Sequence, residues 1–284
     1  YSYDKENKVL LSKVKSDYPS VSIVEANQSN LEKLILDKKI DVISTTIPIT
    51  DKLATILEKN SWELDVTYPI SIGFVYFSDL ALKTTTISDR LLFGHLVSRE
   101  LFKTPMYRAV PTTEFFQSFS SSNLDDNQKD FVKKIRNDLP EQIENKINFG
   151  VGNVERWAKA LKQYTKVTAI KNKKFPIDSD ENEMPDAFVL SNDLSFETNF
   201  SLFSFIVKKK IFKSVDNEDL ISKFINLKTD VDRARFINSV HYENIKNVKI
   251  YPIWSSPYVT AIRKGLKSNM SKFNSRTLMW KVTN

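Results

Sequence analysis

The chain has 284 residues, 41% of them hydrophobic, with a net charge of +7, a pI near 9.2 and no cysteine. That length accommodates one large or two ordinary domains. The missing cysteine excludes disulfides, thiol nucleophiles and thiolate metal sites, which suits an exported bacterial protein. No apolar run approaches the roughly 18 residues of a membrane span. No signal peptide is visible and the chain begins YSYDKENK without methionine, so a mature or trimmed product is expected. The densest lysine groups, 171–174 and 208–210, lack the interleaved glycines and aromatics of a nucleic-acid platform. They read as solvated surface, and no nucleic acid is expected to be contacted.

Residues 1–20 are polar and read as mixed helix and loop, with Val9, Leu10, Leu11 and Val14 on a weak helical face. A strand is expected at 21–24. Leu31, Leu34 and Ile35 then fall at i, i+3 and i+4, which predicts a helix over 29–38 opened by Ser29 or Asn30. A short apolar run, 40–44, reads as a buried strand. Helix, tight turn and strand make half of an α/β unit. A second helix starts near Pro48–Asp51, with Leu53, Ile56 and Leu57 on one side. Residues 62–77 are β-rich, alternating at Leu64 and Val66 before the run Phe74–Phe77.

Over 86–103, Leu92, Leu96, Val97 and Leu101 define one face of an amphipathic helix. Residues 104–127 are loop-rich, and a helix is expected over 126–138. A strand at 147–152 leads to Asn153, a helix cap for Val154, Trp157, Ala158 and Leu161, and a strand follows at 167–170. Strand, helix, strand suggests a crossover unit. Gly150-Val151-Gly152 is not a dinucleotide loop, because the third glycine is missing and Glu155 would face the pyrophosphate. It reads as a turn before the cap.

Ala187–Leu190 reads as a buried strand, 191–195 as a polar turn, and Phe200, Leu202 and Phe203 resume the apolar pattern. Helices are expected at 216–228 and 230–242, a strand at 248–254 and a last strand at 275–282. The two histidines, His95 and His241, have no metal-ligand partner at helical spacing, and no Gly-x-Ser-x-Gly elbow occurs. Both read as structural. Asp125-Asp126 reads as solvated. The chain is therefore expected to be no enzyme, with no metal and no cofactor.

The ordered set (helix-turn-strand ending Ile40-Asp41, strand 72–77, arginine-bearing helix) resembles the extracytoplasmic solute-binding proteins of peptide and nickel ABC importers. The resemblance covers the later half to two-thirds of a family member. The family's helix carries two arginines two apart and an aspartate-arginine pair. Arg90 and Arg99 match it, while Ser88 and Ser98 depart from it. The family's strand with a tryptophan, an aspartate for the peptide α-ammonium group and a phenylalanine aligns with Leu190, Asp193 and Phe200. Leu190 replaces the tryptophan, Leu194 an aromatic residue and Glu197 a proline. VKIYPIW, 248–254, matches the penultimate segment, and the tail matches the closing strand.

The resemblance implies an α/β, type II periplasmic-binding-protein-like fold with two lobes and mixed sheets flanked by helices. The first lobe would hold 1–75 and 265–284, and the second 76–264. It implies capture of a peptide or similar small solute in a cleft between lobes, by Asp193, Leu190, Leu194 and Trp254, for an ABC permease. The protein would be a monomer in the periplasm, or a membrane-anchored lipoprotein. A carboxylate suits this task because a binder indifferent to side chains must grip backbone amides and terminal charges. At Asp193 a turn or helix cap is the competing explanation. Two other functions remain open at this level: a ligand-sensing domain of a cytoplasmic transcription regulator, and a degenerate binding fold used for protein contacts.

Overall fold

In the computed structural model, residues 2–4, 9–11, 30–43, 49–116, 121–171, 184–193, 203–204, 217–268 and 282–283 are described. The chain divides into two units, 1–66 with 259–272 and 276–284, and 67–258 with 273–275. The chain passes from one to the other at Val66/Thr67 and Tyr258/Val259.

In the first unit, β1 (Ser2–Asp4) pairs antiparallel with β2 (Val9–Leu11). The helical face expected from Val9, Leu10 and Leu11 is thus corrected. A run of three apolar residues finds its hydrogen bonds across a strand pair, and local periodicity that short does not decide between the two states. α1 (Leu31–Leu36) follows Asn30 at its N-cap, and β3 (Val42–Ile43) comes next. α2 (Asp51–Lys59) begins where the Thr50 hydroxyl accepts from the Leu53 amide. β3, β11 (Val259–Arg263) and β4 (Trp62–Val66) form an antiparallel sheet in that order. Its core holds Leu31, Ile35, Ile43, Ala54, Leu57, Trp62, Ala261 and Ile262. Arg263 fastens the residues leading into β3 to the sheet. It donates to the Ile40 carbonyl at 2.7 Å, pairs with Asp41 at 2.9 Å and lies over the Trp62 ring. β12 (Lys267–Ser268) pairs with β13 (Val282–Thr283). The strand expected at 21–24, and all of the expected last strand before Val282, lie outside the described residues.

The second unit is built on a six-stranded mixed sheet in the order β6-β10-β5-β9-β7-β8. β5 (Ser71–Phe77) lies centrally, antiparallel to β10 (Ile250–Ser256) on one side and to β9 (Ala187–Asp193) on the other. β9 runs parallel to β7 (Ile147–Val151), and β7 parallel to β8 (Val167–Lys171). β6 (Val110–Pro111) edges the sheet beside β10. α6 (Val154–Ala160), capped by Asn153 as expected, crosses between β7 and β8.

β5 reads as an unbroken apolar run because both faces of the sheet are covered. Val75 and Phe77 pack with Leu92, Leu96 and Val97 of α4 (Ile87–Leu101) and with Trp157. Ile72 and Phe74 pack on the opposite face with Leu220 and Phe224 of α7 (Asn217–Asn226) and Ile237 and Ile245 of α8 (Asp230–Lys246). A short helix absent from the expectations, α3 (Asp79–Thr84), precedes α4. α5 (Asp126–Asn137) opens with a capping box in which Asp125 accepts from the Gln128 amide, so Asp125 has a partner rather than mere solvent.

The expected polar turn at 191–195 is also corrected for its described part. Ser191, Asn192 and Asp193 continue β9, paired with Gly73, Ile72 and Ser71. Polar residues with weak strand propensity are held extended because β5 offers a full-length ladder partner, and such tertiary pairing overrides propensity.

Candidate ligand-binding site

β9 and β10 both run against β5, so their last residues meet its first. The result is one row across three strands, Ser256, Ser71 and Asp193, at the end of the second unit's sheet. The chain enters and leaves this unit at the same end. There the Thr67 amide donates to the Tyr258 carbonyl at 3.0 Å, and the Tyr258 amide donates to the Thr67 hydroxyl at 2.8 Å. The row gathers two serines, of which Ser256 is buried, and a carboxylate-bearing residue at a strand terminus; hydroxyls and carboxylates are groups that hydrogen-bond a polar or cationic solute.

Two rows inward, beyond Val110, Ser255, Ile72 and Asn192, stand Pro111, Trp254, Gly73 and Ser191. Strict alternation from Tyr251 and Ile253 would send Trp254 to the Phe74 face. A bulge between Pro252 and Trp254 adds one residue to β10 and returns Trp254 to the face of Tyr251 and Ile253. The indole there lies flat against Gly73, where a Cβ would collide with the ring. Only 9% of Trp254 is exposed. Proline inside a strand marks an edge, a strand start or a bulge, and the place of β10 between β6 and β5 selects the bulge at Pro252.

Leu190 pairs with Phe74 and packs, partly buried, on the opposite face from Trp254. The two expected site residues are therefore not brought together by the sheet. Leu194, Glu197 and Phe200 lie outside the described residues. Ser71, Ser256 and Gly73 were not singled out beforehand; a serine at a strand end carries no local mark of function.

Arg90, one of the two retained arginines, is 4% exposed. It donates to the Thr85 carbonyl at 2.6 Å and to the Asn247 carbonyl at 2.9 Å, tying the start of α4 to the end of α8. Beside it, Asp89 closes a capping box with Thr86 and accepts from the Glu144 amide and the Asn145 side chain, both at 2.7 Å. Burial pushes the Asp89 carboxyl up, but those hydrogen bonds together hold it below its ordinary value. These contacts are architectural.

The histidines have no shared chemistry. His241 is fully buried, accepts from the Phe115 amide at Nε2 and lies 3.3 Å from the Ser122 carbonyl at Nδ1. Burial pushes its pKa down to about 3, so the ring is neutral and structural. His95 is exposed on α4; partial burial and the cations Arg99 and Arg136 hold its pKa down. Among the described residues, no group of three His, Asp or Glu side chains is arranged to hold a metal ion.

No protein-family model matches the chain, and no curated protein does. Solved structures do. The chain is similar to NikA from Staphylococcus aureus in complex with Ni(L-His)2, with a TM-score of 0.66 at 14% identity over 93% of this chain and 61% of that one. The chain has the type II, periplasmic-binding-protein-like fold. A dipeptide-binding protein from Pseudoalteromonas sp. SM9913 in complex with Met-Leu gives a TM-score of 0.62 at 13% identity, over 91% of this chain and 57% of that one. The oligopeptide-binding protein AppA from Bacillus subtilis in complex with a nonapeptide gives 0.61 at 11% identity, over 93% and 59%. The type II chain described here thus spans about three-fifths of the length of these structures, the share expected for the later half to two-thirds of such a protein.

Proposed function

We propose that this chain is part of a solute-binding protein of an ABC importer, taking up a peptide or a similar small solute outside the cytoplasm and delivering it to a permease. The observation that carries this reading is the strand-end row of Ser256, Ser71 and Asp193 in a chain with this fold. Asp193 is the residue proposed to receive the solute's ammonium group, with Trp254, on the same face of the sheet, as a further ligand-binding residue. The role is binding rather than catalysis, and the protein acts as a monomer. The reading is supported by structural neighbours that hold a dipeptide, a nonapeptide and a nickel–histidine complex.

The test is a melting-temperature screen against dipeptides, tri- to nonapeptides and nickel with histidine, followed by calorimetry on any hit. A ligand at 100 times its Kd should stabilise by about 2.7 kcal/mol. Asp193→Ala is expected to weaken peptide binding by roughly ten- to a hundredfold, the worth of a charge-assisted hydrogen bond, with the fold intact. Unchanged affinity in a chain that does bind peptide removes Asp193 from the site. No stabilisation by any member of the panel refutes the function.

A further inference from the structure

We propose that Arg136, on α5 and remote in sequence from every residue of the candidate site, is the positioning residue for Trp254. Its effect on ligand binding rests on the function proposed above; its effect on Trp254 does not.

The argument begins at the bulge. Inserting Ile253 interrupts the regular ladder between β10 and β5, so backbone groups near the bulge need other partners. Arg136 supplies them. Its Nη1 donates to the Thr112 carbonyl at 3.0 Å, just beyond β6, and its Nη2 donates to the Pro252 carbonyl at 3.0 Å. The Thr112 amide in turn donates to the Ile253 carbonyl at 3.1 Å. One guanidinium therefore bridges β10 just before the inserted residue to the segment after β6 that pairs with it.

The guanidinium is itself held in place. Its carbon lies 4.1 Å from the Tyr251 ring centroid, a cation–π stack. The Tyr251 ring rests against Gly94 of α4, where a Cβ would collide with it. Arg136, Tyr251 and Gly94 thus form a stack from α5 through β10 to α4, and the stack ends one residue before Pro252. Whether Trp254 meets Gly73 or the Phe74 face depends on that single inserted residue. The fork of a guanidinium matches two carbonyls at once; a lysine ammonium reaches them as a point charge without the planar stack.

The experiment uses the whole chain labelled with 5-fluorotryptophan, with the Trp254 fluorine resonance assigned by its loss in Trp254→Phe and that of Trp157 by its loss in Trp157→Phe. Trp157 packs in the same hydrophobic cluster and serves as the control. Arg136→Met is expected to shift or split the Trp254 resonance and leave the Trp157 resonance in place, with Arg136→Lys, the milder variant, giving an intermediate displacement. An unmoved Trp254 resonance overturns the proposal. So does equal displacement of Trp157, because that reports general loosening.

The second arm measures affinity for trialanine by calorimetry. Arg136→Met is expected to weaken it several-fold, and Arg136→Met combined with Trp254→Phe to be no weaker than Trp254→Phe alone. Multiplying losses would mean that Arg136 acts independently of Trp254, and would overturn the proposal. If the unaltered chain binds no member of the peptide and nickel panel, the proposed function fails, and the fluorine spectra alone decide the role of Arg136.

Discussion

Gly73→Ala isolates the contact on which the inner row of the site depends. Gly73 is not in the left-handed region, so alanine adopts its backbone without strain. The cost is steric. The new methyl would fall more than about 1 Å inside the normal ~3.5–4.0 Å separation from Cε2, Cζ2 and Cδ2 of Trp254. The indole cannot simply retreat, since Val75, Ile253 and their neighbours are close-packed around it. Overpacking of this kind costs about 1–3 kcal/mol, and the lost freedom of the unfolded glycine returns about 0.4–1 kcal/mol. The net expectation is about 1–2 kcal/mol of destabilisation. In a unit of this size that lowers the melting temperature by about 2–8 °C.

The assay is urea unfolding by far-ultraviolet circular dichroism, read as a lower midpoint at unchanged slope. Trp254→Leu removes the ring that the methyl strikes, so Gly73→Ala should cost little in that background. If Gly73→Ala costs the same with and without the tryptophan, or nothing in either, the close approach of indole to glycine is not what the residue serves.

His241 gives a pH prediction. Its folded pKa of about 3 lies below the ordinary 6.5, so the unfolded chain binds the proton first as pH falls. The stability contributed by the neutral ring is complete above pH 6.5 and is lost toward pH 3, at a limiting slope of about 1.4 kcal/mol per pH unit. His241→Gln should flatten the stability profile in that window, whatever its effect on stability at pH 7; an unchanged slope by urea unfolding at stepped pH contradicts it. Asp89, held below its ordinary value, adds a loss in the same direction at lower pH. The ion pair between Lys249, 1% exposed, and Asp79 at 2.6 Å makes a separate forecast. Asp79→Asn should cost up to about 3–5 kcal/mol because it leaves a buried ammonium without its carboxylate, whereas Lys249→Met should cost markedly less. Equal costs by thermal unfolding would show that the lysine is not held by that charge.

Much of the fold was legible locally. Asn153 announced α6, and the parallel pair β7 and β8 followed from strand, helix, strand, because caps and periodicity act within a few residues of themselves. The order of helices and strands carried the fold class even at 11–14% identity to the solved structures. What short segments lacked was pairing information. Val9–Leu11 and Ser191–Asp193 are strands because another segment offers a ladder, a fact absent from their own composition.

The candidate site divides along the same line. The sequence by itself determined which residues bear charge, where proline interrupts a strand and which stretches are apolar enough to be buried, since these are properties of residues and their near neighbours. Only the tertiary structure decided that Ser256, Ser71 and Asp193 stand in one row, that Trp254 and Leu190 lie on opposite faces, and that Arg136 grips the bulge. The reason is register: one inserted residue reverses the face of every side chain that follows, and that insertion is stabilised by partners more than a hundred positions away.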